Sequence, residues 1–62
     1  MEKLQLNYDA DYYYNKGVDL ADGGQSEKAV YYYYRSLSLE PYNPWTMAEI
    51  GMCYYDLRMY DE

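Results

Sequence analysis

An internal correspondence at a spacing of 34 residues limits the folds open to this 62-residue chain. Gly17 and Gly51 stand 34 positions apart, each inside a run with helical periodicity. Glycine within a helix costs about 1 kcal/mol relative to alanine, so two glycines in matching register call for a packing reason. Close approach by the following helix is the simplest reason, with the small Ser36 opposite. The neighbouring positions correspond in the same way, since Tyr13, Leu20 and Asp22 recur as Met47, Tyr54 and Asp56.

Caps and helix breakers divide the chain into three predicted helices, over residues 9–22, 26–39 and 44–58. Asp9 and Asn43 have the side-chain oxygen that favours an N-cap, and Pro44 suits a first helical position. Gly23–Gly24 and Pro41 end the first two helices. Because the connections are only about three to five residues long, neighbouring helices must be antiparallel. The predicted fold class is therefore all-α, with the chain forming one helix-turn-helix domain over residues 1–62.

Two tyrosine runs, Tyr12–Tyr14 and Tyr31–Tyr34, leave the choice between helix and strand open on propensity alone. Tyrosine favours strands, and four consecutive tyrosines, Tyr31–Tyr34, have no period. The flanking residues 26–29 and 35–37 favour helix, so we predict helix for both runs. Four successive side chains on a helix point in four directions, so at most two of these four rings should be buried.

The charge balance argues against nucleic acids and membranes as partners. Lys and Arg number 5 and Asp and Glu number 11, which gives a formal charge of −6. Nucleic-acid affinity depends largely on basic side chains that neutralise phosphates, and anionic membrane surfaces attract basic segments. The 12 tyrosines can stack on bases, but a basic groove to hold the backbone is lacking. No run approaches the roughly 18 apolar residues of a membrane span.

The residue types that carry catalysis and metal binding are scarce. The chain has no histidine and a single cysteine, Cys53, so the thiol lacks the base that would activate it. The aspartates at positions 9, 11, 19 and 22 lack the alternating spacing of a calcium loop. We predict that the chain is not an enzyme, binds no cofactor or metal, and has Cys53 buried or half-buried without a chemical role. One free cysteine without a signal-like amino-terminal segment favours a cytoplasmic location.

The repeat pattern resembles the tetratricopeptide repeat family, whose unit reads W-x2-L-G-x2-Y, then A-x3-F, then P. The residues that carry the resemblance in the first unit are Tyr13, Gly17, Leu20, Ala29, Tyr33 and Pro41. The next unit opens with Met47, Ile50, Gly51 and Tyr54. The pattern departs at Lys16, where the family prefers leucine. The resemblance implies a complete repeat over residues 10–43 and the first helix of a second repeat over 44–62.

The resemblance further implies a partner helix for the third helix, beyond the end of this sequence. Either the chain is part of a longer protein, or copies associate and cover the apolar face; an engineered origin is a further alternative. The candidates for self-association are Met47, Ile50, Tyr54 and Leu57, and a symmetric dimer is the favoured homo-oligomer. A self-assembling structural repeat is thus one predicted function.

The other predicted function is a protein-interaction scaffold that binds a partner peptide or protein. In the family, the first helix of each unit lines a concave groove. By resemblance the groove candidates are Asp11, Tyr14, Val18, Ala21, Asp22, Trp45, Ala48, Met52, Tyr55 and Asp56. This aromatic and acidic surface suits an apolar or basic segment. An alternative is that Trp45 and Tyr55 simply cover the third helix.

Overall fold

A computed structural model describes residues 8–61, the last three of them by their backbone alone, and contains three α-helices. These are α1 (Ala10–Asp22), α2 (Ser26–Leu39) and α3 (Pro44–Asp61). Both tyrosine runs are helical, as predicted, and the all-α fold class is confirmed. α3 continues past the predicted end at residue 58, since residues 59–61 include neither glycine nor proline. Among the described helices, none combines the length and apolar character needed to cross a membrane.

The first turns of α1 and α3 are capped by the predicted residues. The Asp9 carboxylate accepts a 3.0 Å hydrogen bond from the Tyr12 amide at the start of α1. The Asn43 side chain accepts bonds from the Trp45 and Thr46 amides, at 2.9 and 3.2 Å. These bonds satisfy amides that have no partner inside their own helix.

The turn between α1 and α2 depends on a left-handed residue. Gly24 has a φ of +82°, a conformation that glycine adopts without a steric penalty. The Gln25 amide then donates a 2.8 Å bond to the Leu20 carbonyl, which folds α2 back on α1. The antiparallel α1–α2 pair follows from this geometry.

The core lies where α2 meets its two neighbours. It consists of Ala29 and Tyr33 from α2 with Ile50 and Cys53 from α3. Tyr33 is the largest fully buried side chain. Of the tyrosine run, Tyr33 is buried and Tyr32 half-buried, which agrees with the predicted limit of two.

The close approach predicted at Gly17 is confirmed, but its partner is a different residue. A β-carbon at Gly17 would lie 2.6 Å from Cε1 of Tyr33, so the ring of Tyr33 occupies this space. Ser36, predicted to lie opposite Gly17, instead donates a 2.9 Å hydrogen bond to the Ala10 carbonyl. A small residue was expected because the contact was assumed to join two backbones. In the structure, a backbone instead meets an aromatic ring.

The helix predicted to approach Gly51 would follow α3 and lies outside the described residues, so the close approach at Gly51 stays a prediction. Apart from its two chain neighbours and the nearby backbone of α3 itself, no described atom lies within 4 Å of a β-carbon placed on Gly51. The predicted inner face of α3 is also rotated, because its buried residues are Thr46, Ile50 and Cys53. Met47 and Tyr54 are exposed, each one position beyond a buried residue and thus about 100° further round the helix. α2 contacts the face of α3 that centres on Ile50, and the glycine face points away.

Candidate functional site

A shallow cleft joins the beginnings of α1 and α3. Asp11 and Tyr14 line it from α1, and Asn43 and Trp45 line it from the start of α3; its volume is about 320 Å³. Three of these residues belong to the predicted groove, and Trp45 is 72% exposed. Sequence reasoning assigned Asn43 only a capping role. The position of Asn43 next to the first turn of α3 was the signal that could have indicated its place beside Trp45.

The two aromatic residues of the cleft differ in how firmly they are held. The ring of Tyr14 packs against that of Tyr33, with centroids 5.9 Å apart and planes at 47°. Partial burial, followed by the nearby negative charge of Glu49, raises the pKa of the Tyr14 hydroxyl. Tyr14 is therefore a neutral hydrogen-bond donor at physiological pH. Trp45 is fixed only at its backbone, by the Asn43 cap, and its indole is open to a ligand.

The remaining groove candidates divide into two groups. Val18 and Ala21 are half-buried and pack against the core, so they offer little surface. The exposed group consists of Asp22, Ala48, Met52, Tyr55 and Asp56. The structure brings Asp11, Tyr14 and Trp45 together in one cleft, and none of the exposed group lines it. The rings of Trp45 and Tyr55 both lie mostly in solvent. Their exposure does not support the alternative that they cover α3.

A second depression, of about 490 Å³, lies on the α2–α3 turn and shares Trp45 with the cleft. Its apolar lining includes Leu39, Pro41 and Tyr42, and Tyr42 is 93% exposed. Sequence reasoning missed this surface because it treated Pro41 only as a helix stop. The available signal was the series of apolar residues within and on either side of the two prolines, Leu39, Tyr42 and Trp45. Trp45 thus connects two adjoining apolar surfaces.

A cluster of tyrosines around Arg35 was also not predicted. The Arg35 guanidinium donates to the hydroxyls of Tyr31 and Tyr13, at 2.8 and 3.1 Å, and lies 4.8 Å from the centre of the Tyr13 ring. These contacts, with that of Tyr31 foremost, raise the pKa of Arg35. Since Tyr13 belongs to α1 and Arg35 to α2, the cluster links the two helices through a cation–π contact.

The predicted self-association residues do not form one surface. Met47 and Tyr54 are 55% and 47% exposed, but Ile50 is buried in the core and Leu57 is half-buried. Ile50 is therefore unsuited to contact another molecule, because it already faces α2. The Tyr54 hydroxyl lies 3.3 Å from that of Tyr34, a hydrogen bond that raises the pKa of Tyr54.

The groups with possible catalytic chemistry are dispersed or inert. Cys53 is 3% exposed, and burial, followed by the charges of Asp56 and Glu49, raises the pKa of its thiol. The thiol is buried, as predicted. Among residues 8–58, whose side chains are described, no three of His, Cys, Asp and Glu are placed to hold a metal ion.

Comparisons with protein-family models, with curated proteins and with solved structures gave no match to this chain.

Proposed function

We propose that the chain is a protein-interaction module of the tetratricopeptide type, which binds a partner segment on its first-helix face. The observation that carries the proposal is the cleft where Asp11, Tyr14 and Trp45 meet. An exposed indole beside a half-buried phenol is typical of an interaction hot spot, because large aromatic rings gain most from leaving water.

The chemistry of the cleft favours an apolar segment with a basic residue. Trp45 and Tyr14 offer ring faces to aliphatic or proline side chains, and Asp11 is an exposed carboxylate at their edge. A lysine or arginine of the partner would pair with Asp11 and lie over an aromatic face. The net charge of −6 would speed the encounter with a basic partner.

Selection from a displayed library of random peptides tests this proposal. Trp45 is the only tryptophan, so its intrinsic fluorescence reports directly on occupation of the cleft. We expect the selected peptides to combine apolar and basic residues and to change this fluorescence on binding. Trp45→Ala should weaken their binding, measured with labelled peptide, by about tenfold or more.

Two charge-matched variants complete the test. Asp11→Asn should weaken binding several-fold at low salt and less at high salt, because salt screens the charge pair. Asp19→Asn removes the same charge from the same helix, at an exposed position outside the cleft, and should leave binding unchanged. Peptides that bind equally well to the wild type and to Trp45→Ala would overturn the proposal.

A further inference from the structure

The hydroxyl groups of two tyrosines from different helices meet where α2 packs on α3. The Tyr34 hydroxyl lies 3.3 Å from that of Tyr54, across 20 positions of the chain. The two side chains are 49% and 47% exposed. A hydrogen bond between exposed hydroxyls contributes little to stability, because water replaces either partner at small cost. The stability of the fold therefore gives little reason for a phenol at both positions.

Phenol is the prevailing aromatic side chain of this protein. The sequence has 12 tyrosines, one tryptophan and no phenylalanine. Packing alone does not require this choice, because the Tyr33 hydroxyl is buried without a hydrogen-bond partner among the described residues. A phenol also differs from the ring of phenylalanine in its redox chemistry, since a one-electron oxidant converts it to a phenoxyl radical. With so many phenols present, their positions decide which pair can react.

Two phenoxyl radicals couple through the ring carbons that adjoin the hydroxyl-bearing carbons. In the product, dityrosine, the two hydroxyls consequently lie side by side. Tyr34 and Tyr54 already hold their hydroxyls in this arrangement, so rotation of two partly exposed rings brings the reacting carbons together. A pair held in place by the fold reacts within one molecule, which is faster by orders of magnitude than chance encounter.

We propose that Tyr34 and Tyr54 form a dityrosine cross-link between α2 and α3 when a peroxidase with hydrogen peroxide oxidises the folded chain. Each phenol loses one electron to the oxidant and its hydroxyl proton to water. The two radicals form a carbon–carbon bond, and the hydrogen on each bonded carbon then passes as a proton, through water, to the ring oxygen, which restores both phenols. In total, one hydrogen peroxide takes up two electrons and two protons and becomes two water molecules.

The other close tyrosine contacts are less suited to a bond between helices. The hydroxyls of Tyr13 and Tyr31 accept hydrogen bonds from the Arg35 guanidinium. Oxidation of either ring would add positive charge beside this cation, which opposes the reaction. Tyr8 and Tyr12 have ring centroids 4.7 Å apart, but they lie together at the start of α1, so a bond between them would connect no second helix.

The cross-link would give the chain a covalent staple. Small domains commonly add one, because their cores are small, and the single cysteine, Cys53, cannot form a disulfide within the chain. A cross-link stabilises a fold mainly by restricting the unfolded chain. The bond between Tyr34 and Tyr54 would hold α3 against α2. Neither tyrosine lines the cleft, so the inference does not depend on the proposed function.

Oxidation of the full chain tests the inference, at a concentration low enough to avoid encounters between copies. After treatment with peroxidase and hydrogen peroxide, trypsin cleaves behind Arg35, which separates Tyr34 from Tyr54. We expect fragments 29–35 and 36–58 to remain joined, with a mass two hydrogen atoms below their sum and the blue fluorescence of dityrosine. The cross-linked chain should unfold at a higher urea concentration than oxidised Tyr34→Phe.

Single substitutions locate the bond. Tyr34→Phe and Tyr54→Phe each keep the ring and remove one phenol, so each should lower the yield of joined fragments by about tenfold or more. Tyr55→Phe is the matched control, because Tyr55 adjoins Tyr54 on α3 and is more exposed, at 64%. It should leave the yield unchanged. Trp45→Ala should also leave it unchanged, so failure of the cleft proposal is distinguishable from failure of this one.

Oxidation in urea provides the last comparison. The joined fragments should then lose their dependence on Tyr34 and Tyr54, because the unfolded chain no longer holds this pair together. The inference is overturned if the folded chain gives the same yield as the chain in urea, or if neither Tyr34→Phe nor Tyr54→Phe lowers that yield. Products that join only separate copies, or only tyrosines of α1 and α2, would overturn it as well.

Discussion

The ring of Tyr33 and the backbone of Gly17 are in such close contact that residue 17 has no room for a side chain. Cε1, Cδ1 and Cζ of the ring would all lie 3.0 Å or less from a β-carbon there. Since Tyr33 is fully buried between helices, the ring has no free space into which it could move. The contact therefore fixes how closely α1 and α2 approach.

Gly17→Ala should destabilise the chain although alanine is the better helix former. Overpacking of a filled site costs about 1–3 kcal/mol, which outweighs the gain of about 1 kcal/mol in helix propensity. We expect a lower urea midpoint in equilibrium unfolding followed by circular dichroism. An unchanged or higher midpoint would show that α1 and α2 separate without penalty.

Gly51→Ala should have the opposite effect. The added methyl group meets no described atom, so the gain in helix propensity of about 1 kcal/mol is not offset. For a domain of this size, that corresponds to a melting temperature higher by about 4–8 °C. The same thermal unfolding experiment on both glycine variants gives the comparison; a loss of stability at both sites would contradict the open surface at Gly51.

Ser36→Ala should lower the free energy of unfolding by about 1 kcal/mol, because it removes a buried hydrogen bond between α2 and the Ala10 carbonyl. The Ser36 hydroxyl is buried, and its 2.9 Å bond ties α2 to the first residue of α1. Ser38→Ala is the matched control. Its hydroxyl is exposed and bonds within α2, to the Arg35 carbonyl, so its removal should cost less than about 0.5 kcal/mol. Equal losses of stability for the two variants in urea unfolding would argue against the hydrogen bond between Ser36 and Ala10.

The helices, their caps and the role of Gly17 could be predicted from the sequence because they depend on local signals. Asp9, Asn43 and Pro44 act within a few residues of their own position in the chain. The rotation of α3 could not be predicted, because the pattern around Gly51 was assumed to face its neighbour as the pattern around Gly17 does. That choice depends on which side of α3 meets α2, a tertiary contact that the periodicity does not specify.

The candidate site was predictable in part for a similar reason. Asp11, Tyr14 and Trp45 were identified by the correspondence between the two helices. Whether they lie in one cleft depends on the angle between α1 and α3, which no local pattern encodes. The Arg35 cluster was missed because its contacts join residues 22 positions apart, as in the bond to Tyr13.

The stability of the chain should fall at alkaline pH, in part through Tyr33. Burial, and then the charge of Glu49, raises the pKa of this phenol well above its usual value. In the unfolded chain the pKa of this phenol is about 10, so the folded state holds its proton to a higher pH. The stabilisation is complete below about pH 10 and is lost as the pH rises through the folded-state pKa.

Tyr33→Phe should reduce this alkaline loss. At pH 8 the variant should be at least as stable as the wild type, because the Tyr33 hydroxyl is buried without a hydrogen-bond partner among the described residues. Tyr42→Phe, at an exposed ring, is the control and should leave the pH dependence unchanged. Urea unfolding at pH 8 and above pH 10 gives the comparison, and identical alkaline losses in wild type and Tyr33→Phe would exclude this role.

Cys53 should react with a thiol reagent only when α3 opens. The sulfur is buried and burial raises the pKa of the thiol, so both access and ionisation are suppressed in the folded chain. Labelling with a disulfide reagent should be slow in native buffer and reach the rate of a free thiol in urea. Rapid labelling of the folded chain would show that Cys53 does not belong to the core.

Tyr33 contacts α1 at Gly17 and shares the core with Ile50 and Cys53 of α3. α3 can leave this arrangement while the α1–α2 pair keeps its hydrogen bonds and its ring contact. Separation of α1 from α2, in contrast, exposes Tyr33 to water and removes the surface on which α3 rests. We therefore expect the carboxyl-terminal helix to separate from the core more readily than the two amino-terminal helices separate from each other.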